Sequence, residues 1–109
     1  MKARPAGDYY AWLKNNLRKS PEEAAAYLNA AMNEKNPALF LFALKNVLEA
    51  YGGITAFSRR TKLGRVSIYK MLSKNGNPGF QNILALLSSA GLTLQATPKK
   101  PGKKSKTKG

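Results

Sequence analysis

Cysteine and histidine are both absent from the 109 residues of this chain. Without thiols the chain forms no disulfide and has no thiolate nucleophile, and without imidazole it lacks the most common general base. Both residue types are also the usual protein ligands of transition metals. No other nucleophile lies beside a base, and no glycine-rich phosphate loop follows a strand. The sequence therefore predicts no enzyme activity, no catalytic residue, no metal site and no cofactor.

Acidic residues are scarce and confined to the first half of the chain. The five acids are Asp8, Glu22, Glu23, Glu34 and Glu49, against nineteen Lys and Arg, so the formal net charge is +14. Residues 51–109 contain twelve basic residues and no acid. Such a concentrated positive field attracts phosphate or another anionic surface. Nucleic acid, and double-stranded DNA in particular, is the leading predicted partner.

Long apolar runs are missing as well. No run approaches the ~20 residues that a membrane-spanning helix needs. Residues 1–7 lead into no hydrophobic signal core, so we expect no export and no membrane partner. The lack of cysteine is compatible with a reducing cytoplasm, and DNA binding would place the protein on the nucleoid.

Two signals of an N-cap followed by proline predict the first long helices. Ser20-Pro21 opens one that should end near Asn33, and Asn36-Pro37 opens another that ends at Gly52-Gly53. The predicted apolar faces are Ala24, Tyr27, Leu28, Ala31 and Met32 in the first helix, and Leu39, Phe40, Ala43, Leu44, Val47 and Tyr51 in the second. Both helices are predicted to be scaffold.

Shorter elements follow from Ile54 onward. We expect Thr55 to cap a helix that reaches about Thr61, and a tight turn over residues 62–64 to precede a helix from Arg65 to about Ser73. Two such helices, the second basic at its beginning, form a helix-turn-helix, whose second helix enters the major groove of DNA. Leu63, Ile68, Met71 and Leu72 are expected to anchor the pair to the core.

Residues 75–78 repeat the signal of a cap followed by proline. They predict a last helix with Phe80, Ile83, Leu84 and Leu87 inward and its end at Gly91. Leu92 to Gln95 alternate, so a short C-terminal strand is possible. The fold class is therefore predicted as all-α, a compact bundle of about five to six helices containing a helix-turn-helix.

Three regions make up the predicted domain organisation. Residues 1–19 form an arm or, as we favour, a short helix that carries Tyr9, Tyr10 and Trp12, and residues 20–97 form the helix-turn-helix domain with its helical extension. Residues 98–109 contain six lysines and no large apolar side chain, which predicts a disordered tail. The tail either solubilises the chain or binds phosphates without sequence preference.

Ten residues are predicted to contact DNA. They are Thr55, Arg59, Arg60, Lys62, Arg65, Val66, Ser67, Tyr69, Lys70 and Lys74. A solvated surface usually mixes charges of both signs, whereas this segment holds only basic ones, which favours binding over an ordinary solvated face. For Tyr69 the alternative stays open that its ring simply packs and leaves its hydroxyl in water.

A set of short motifs and single residues between residues 8 and 95 points to a known family. They are Tyr27-Leu28, Asn36-Pro37-Ala38-Leu39, Thr55, Arg59, Thr61, Leu63, Ser67-Ile68-Tyr69-Lys70, Gly76-Asn77-Pro78-Gly79-Phe80, Leu84 and Gly91-Leu92. Through them, residues 8–95 resemble the addiction-module antidote proteins, which are HigA-like antitoxins with a lambda-repressor-type helix-turn-helix. It implies a DNA-binding autoregulator, usually dimeric, that pairs with a small RelE- or ParE-like toxin and binds its own operator.

The chain departs from the family pattern at four positions. Ala56 replaces a common Gln, Lys62 occupies the turn position usually given to Gly, Gly64 replaces a capping Ser, and Val66 replaces a polar residue. A left-handed Lys62 would cost roughly 1 kcal/mol. Val66 would suit contact with a thymine methyl group. We therefore expect a motif that is intact but an operator that differs from those of its relatives.

Several functions stay open at this point. The chain is an antitoxin that represses its own operon, a solitary regulator without a toxin, or a protein-interaction module whose Tyr9, Tyr10, Trp12 and helix 21–33 bind a partner. A nonspecific binder of nucleic acid or anionic membrane, driven by the tail, is a further alternative. A lone recognition helix reads few base pairs, so a homodimer on an inverted repeat is expected, joined through residues 92–95 or through the helix that starts near Pro78.

Overall fold

The computed structural model describes residues 6–99, which form six helices and no strand. In chain order they are α1 (Ala6–Arg18), α2 (Pro21–Asn33), α3 (Pro37–Ala50), α4 (Ile54–Thr61), α5 (Arg65–Met71) and α6 (Phe80–Ser89). The predicted all-α bundle is confirmed, including the short N-terminal helix. Within the described part of the chain no helix has the length and apolar character needed to cross a membrane.

The starts of α2 and α3 were correctly predicted because each is fixed by a local cap. The Ser20 side-chain oxygen accepts a hydrogen bond from the Glu23 N–H at 3.3 Å. The Asn36 side-chain oxygen accepts from the Ala38 N–H at 3.0 Å and from the Leu39 N–H at 3.4 Å. These bonds satisfy amide groups that have no partner within the first turn. The end of α2 at Asn33 also agrees with the prediction.

The core is built around α3, which contacts α1, α2 and α4. Its fully buried members include Leu17, Leu44, Val47, Leu48, Phe57, Ile68 and Leu86. Burial of such a side chain stabilises the fold by about 1.5–3 kcal/mol. The prediction that Leu39 belongs to the core is wrong. Leu39 lies in the first turn of α3, at the edge of the bundle, and is 38% exposed.

The helix α4 starts two residues earlier than predicted, and that shift removes the expected Thr55 cap. The helix begins at Ile54, and Gly53 lies at the N-cap with φ of 91° and no side-chain hydrogen bond. This positive φ favours glycine. Thr55 is exposed within the first turn, so it caps nothing.

The last helix starts later than predicted and faces a different way. Gly79, not the segment 75–78, lies at the N-cap of α6. Leu87 is buried and Ile83 partly buried as expected, but Phe80 and Leu84 are exposed, so the inward placement of these two is wrong. Among the helices, α6 packs mainly on α4, and Phe80 and Leu84 lie outside this contact.

Residues 92–99 have no regular secondary structure. The Leu92 N–H donates to the Leu87 carbonyl at 2.9 Å, and the Leu92 side chain is buried. These contacts continue the end of α6, and none of the described residues provides a strand for pairing, so the possible strand over residues 92–95 is not formed. The predicted tail beyond Lys99 and residues 1–5 lie outside the described residues.

Tyr51 links the end of α3 to the junction of α1 and α2. Its hydroxyl donates to the Leu17 carbonyl at 3.2 Å and to the Ser20 carbonyl at 3.4 Å. Burial raises the pKa of Tyr51 above its usual 10.0, and the charge of Glu22 raises it further. The folded protein therefore holds this phenol neutral at a pH where the unfolded chain ionises it.

We expect alkaline conditions to destabilise the fold partly through this residue. The contribution is complete below pH 10, where both states are protonated, and is lost as pH rises through the folded pKa. Tyr51→Phe should lower the free energy of unfolding by about 1 kcal/mol at pH 7, because a hydrogen bond is lost. It should also reduce the loss of stability as the pH rises above 10. Urea unfolding of both proteins at several pH values measures this; parallel curves would contradict the assignment.

Candidate nucleic-acid interface

A three-residue turn joins α4 to α5 and fixes their relative orientation. Lys62 adopts the left-handed conformation expected from its position, with φ of 67° and ψ of 12°. Its N–H donates to the Ser58 carbonyl at 2.9 Å. The Ser58 hydroxyl donates to the Leu63 carbonyl at 2.6 Å. These two bonds offset the strain of a left-handed lysine, which is roughly 1 kcal/mol.

Thr61 stabilises the same turn through two further hydrogen bonds. Its hydroxyl donates to the Phe57 carbonyl at 2.7 Å and accepts from the Leu63 N–H at 3.3 Å. The sequence reasoning missed the roles of Ser58 and Thr61 in the turn. The available signal was the presence of hydroxyl side chains in the last turn of a helix, where they bond readily to nearby backbone.

The helix α5 is exposed around most of its circumference. Gly64 lies at its N-cap, with φ of −67° and ψ of 148°, as expected. Ile68 is fully buried, Leu72 is buried, and Leu63 and Met71 are partly buried, so the four predicted anchors are confirmed. The other five residues from 65 to 70 are exposed, including Val66 at 74%. A valine so exposed offers apolar surface to a partner.

All ten residues predicted to contact DNA are exposed. Five lie on α5, three lie on α4 (Thr55, Arg59 and Arg60), Lys62 lies in the turn and Lys74 follows α5. Because residues 51–109 contain no acid, no carboxylate on α4 or α5 neutralises these cations. The α4–turn–α5 unit therefore presents a basic surface suited to phosphate.

Arg60 belongs to this set by sequence but differs in its contacts. Its guanidinium carbon lies 4.6 Å from the centre of the buried Phe57 ring, a cation–π distance. A terminal nitrogen of the same side chain lies next to Gly52, 3.4 Å from the place where a β-carbon would stand. The Arg60 side chain thus packs against its own molecule, unlike the other basic residues of α4 and the turn.

Tyr69 is held between two cations. The Arg65 guanidinium carbon and the Lys45 ammonium nitrogen each lie 5.9 Å from the centre of its ring. The ring remains 41% exposed, so it neither enters the core nor stands alone in solvent. Lys45, on α3, was missed by the sequence reasoning, which treated that helix as scaffold. The signal was that α3 is otherwise almost entirely apolar and has a single basic residue.

A second exposed surface lies on α1 and α3, and we call it the aromatic face. It consists of Tyr9, Tyr10, Trp12 and Phe42, whose exposed fractions range from 39% to 53%. The rings of Tyr9 and Trp12 lie 6.1 Å apart, and those of Tyr10 and Phe42 lie 6.4 Å apart. The sequence singled out the three residues of α1. It gave no reason to add Phe42, because only the packing of α1 on α3 brings them together.

Tyr27 lies close to the aromatic face and is more deeply placed. The side-chain amide of the buried Asn46 donates to its hydroxyl oxygen at 2.8 Å. Burial raises the pKa of Tyr27, with smaller contributions from the nearby Tyr9 and Tyr10, while the Asn46 hydrogen bond lowers it. This polar pair joins α2 to α3 beneath the exposed rings.

Comparison with known proteins adds three findings. The model of a family described as "probable addiction module antidote protein" matches residues 13–98. A Haemophilus influenzae protein described as uncharacterized is 33% identical over 76 residues, which cover 70% of this chain and 77% of that protein. No solved structure matches. The matched range contains the whole α4–turn–α5 unit.

Proposed function

Because this chain belongs to the probable addiction module antidote family, we propose that it is the antitoxin of a type II toxin–antitoxin module and represses its own operon. In this proposal it is a HigA-like cytoplasmic protein with a lambda-repressor-type helix-turn-helix, and it associates with the nucleoid when bound to operator DNA. An antidote implies a toxin as its partner, and the family description names no catalytic activity. The observation that carries the DNA-binding part is α5, a projecting helix with five exposed residues and no acidic neighbour on α4 or α5.

Docking of α5 in the major groove assigns distinct roles to the exposed residues. Arg65, at the first position of the helix, is suited to a bidentate bond with guanine, and Val66 to contact with a thymine methyl group. Basic residues at the ends of the unit, such as Lys62 and Lys74, are suited to phosphates of the backbone. Arg65 and Lys45 both lie near the Tyr69 ring, so Lys45 is suited to a phosphate close to the Arg65 contact.

Specific binding requires two copies of the chain. A single α5 spans seven residues and reads only a few base pairs. A two-fold dimer on an inverted repeat, with half-sites about one helical turn or roughly 34 Å apart, doubles the number of base contacts. Operator binding is therefore proposed to be dimeric.

Titration on DNA from upstream of the protein's own gene tests the proposal. We expect binding at least about 1,000-fold tighter than to a scrambled duplex of the same composition, within the usual range for specific regulators. A footprint should cover two half-sites related by a two-fold axis. Equal affinity for both duplexes would refute the repressor and leave only electrostatic binding.

The aromatic face supports the toxin-binding part. Exposed Trp and Tyr are enriched at the energetically important positions of protein interfaces. The face lies on the section of the molecule that holds all five acids, and the described residues 6–50 balance them with five basic residues, Lys14, Arg18, Lys19, Lys35 and Lys45. A polyanion gains little affinity from such a neutral surface. A basic toxin of the RelE or ParE type meets no electrostatic repulsion there.

We expect the double variant Tyr9→Ala, Trp12→Ala to weaken binding of the toxin encoded next to this gene by at least ~10-fold, because two interface aromatics each contribute about 1 kcal/mol or more. Its affinity for operator DNA should stay within about twofold of the wild type. Isothermal calorimetry with the purified toxin measures this loss. Lys70→Ala should show the opposite pattern, with weaker binding to operator DNA and unchanged affinity for the toxin, which checks that the two surfaces are separate. If the double variant binds the toxin normally, the aromatic face is not its site; if no toxin gene adjoins this one, the solitary regulator is favoured.

A further inference from the structure

Asn75 is the one asparagine of this chain that precedes a glycine. The nine asparagines are Asn15, Asn16, Asn29, Asn33, Asn36, Asn46, Asn75, Asn77 and Asn82. Six of the others lie within helices, and the remaining two, Asn36 and Asn77, precede proline. Asn75 lies in the segment between α5 and α6, and its side chain is exposed. Its backbone is therefore not held in a helix, and its side-chain amide is in contact with water.

An Asn-Gly pair allows the backbone to attack the side chain that precedes it. The Gly76 nitrogen, after it loses its proton, bonds to Cγ of Asn75, and the side-chain nitrogen leaves as ammonia. The product is a five-membered cyclic imide. Water then opens the ring, which leaves aspartate when the new Cγ–N bond breaks and isoaspartate when the original backbone C–N bond breaks. Glycine permits this ring closure because it has no β-carbon to obstruct the approach.

The charges around Asn75 favour the first step of this reaction. Lys74 is its neighbour in the chain, Lys70 lies in the last turn of α5, and both are exposed. Residues 51–109 hold no acid that would neutralise them. Nearby positive charge stabilises the anion that forms when the Gly76 nitrogen loses its proton.

The fold opposes the same step. The Gly76 N–H donates to the Ser73 carbonyl at 2.9 Å, so its proton is held in a hydrogen bond. Gly76 also approaches the backbone of Met71 so closely that a β-carbon would overlap the Met71 carbonyl oxygen. Ring closure requires the peptide group between Asn75 and Gly76 to turn toward the Asn75 side chain, which breaks these contacts. The reaction therefore proceeds from a locally opened state of the segment.

We propose that Asn75 is a site of spontaneous deamidation that the fold protects, so that the molecules that convert are those in which the segment between α5 and α6 has opened. The reaction consumes one water, releases one ammonia and needs no enzyme, oxidant or reductant. Its product is the first carboxylate in residues 51–109. Where isoaspartate forms, the main chain gains a methylene group and Gly76 loses its close fit against Met71. The conversion thus changes both charge and packing at the end of α5, and loss of the ammonia makes it irreversible.

The consequence for DNA binding rests on the proposed function. A carboxylate beside Lys74 repels phosphate and attracts the lysine that would otherwise contact it. If it cancels one contact between lysine and phosphate, affinity falls about fivefold at roughly 0.15 M salt, from a slope of ~0.9 in the logarithm of salt per phosphate. Asn75→Asp should show this loss equally on operator and scrambled duplexes. Asn75→Gln, which keeps an uncharged amide, is the matched control and should bind both duplexes like the wild type.

Incubation of the purified full-length protein at neutral pH, with and without unfolding concentrations of urea, tests the site itself. Trypsin cleaves after Lys74 and Lys99, so one peptide carries Asn75 together with Asn77 and Asn82 as internal controls. Fragment masses locate each conversion of amide to acid, and a sample digested at the start gives the background. We expect Asn75 alone to convert, at least about tenfold more slowly in the folded chain than in urea, because only the opened state reacts.

Equal rates in the folded and unfolded chains, or conversion at Asn77 or Asn82 in place of Asn75, would overturn the proposal. Operator DNA should slow the reaction of the folded chain further, since it holds the end of α5 in place. An unchanged rate on DNA, or wild-type affinity of Asn75→Asp for both duplexes, would overturn the consequence for DNA binding. Failure of the proposed function is distinct from these results: the unconverted wild type would then bind operator and scrambled duplexes equally, while the ratio of folded to unfolded rates would stay the same.

Discussion

Replacement of Arg65 by alanine should weaken binding to operator DNA by roughly 5- to 150-fold, which corresponds to the 1–3 kcal/mol of a base-reading arginine. Arg65 is exposed at the first position of α5, the end of a recognition helix that reaches deepest into the groove. Its one aromatic contact is the Tyr69 ring, at 5.9 Å on the protein surface, so its removal leaves the core intact. Lys70→Ala should act in the same direction, from the last turn of the helix.

Titrations on operator and scrambled duplexes separate the possible roles of these side chains. A loss confined to the operator identifies a base contact, whereas equal losses on both duplexes identify a phosphate contact. Unchanged affinity for both would refute the assignment. Thermal unfolding should show each variant within about 0.5 kcal/mol of the wild type, as is usual for surface substitutions.

Arg60→Ala is the matched control, because Arg60 is equally basic but packs over Phe57. Loss of that cation–π contact should lower the free energy of unfolding by about 0.5–1 kcal/mol. Its effect on operator affinity should be smaller than that of Arg65→Ala. The pair of variants therefore distinguishes a basic residue that stabilises α4 from one that reads DNA.

The sequence predicted those parts of the fold that local interactions determine. Ser20 and Asn36 each bond to the first turn of the helix that follows, and proline at the next position already has the helical φ, so the starts of α2 and α3 were readable from five or six residues. In each case the determining atoms are close in sequence.

The errors arose where a residue depends on a distant one. Phe80 and Leu84 have the spacing of a buried face, yet α6 rests on one neighbour and turns them outward. Residues 75–78 have the residue types that are typical of an N-cap followed by proline, but the N-cap of α6 is Gly79. Periodicity gives the angular spacing of apolar residues; it does not tell which side of the helix another element will cover.

The candidate site was predicted to a similar extent. Exposure of the six basic residues among the ten followed from their charge, and exposure of the α5 residues followed from the anchoring of that helix by Ile68. Lys45 contacts Tyr69, and Phe42 contacts Tyr10. Each contact joins α3 to a helix that is separated from it in sequence by another whole helix. Such pairs form only once α3 has packed into the bundle, so no local pattern predicted them.

Gly76 is the position at which a single methyl group should have the largest effect on stability. It lies in the segment between α5 and α6, and its N–H donates to the Ser73 carbonyl at 2.9 Å. A β-carbon built on Gly76 would overlap the Met71 carbonyl oxygen and lie 2.8 Å from the Lys70 carbonyl oxygen. Both oxygens belong to the backbone at the end of α5, which cannot move aside as a flexible side chain would. The glycine is therefore required by close approach and not by an unusual φ.

We expect Gly76→Ala to lower the free energy of unfolding by about 3 kcal/mol, the upper end of the usual penalty for overpacking, because the clash involves backbone. That loss is a large fraction of the ~5–15 kcal/mol that stabilises a typical domain. Operator affinity should fall too, since relief of the overlap displaces the last turn of α5, where Lys70 lies. Gly79→Ala is the control three residues away: nothing lies within 4 Å of its added methyl group and its φ is −69°, so it should lose less than about 1 kcal/mol, the cost of alanine as an N-cap. Urea unfolding of the two variants and the wild type measures the difference, and equal stability of Gly76→Ala and Gly79→Ala would show that the segment between α5 and α6 adapts to the methyl group without strain.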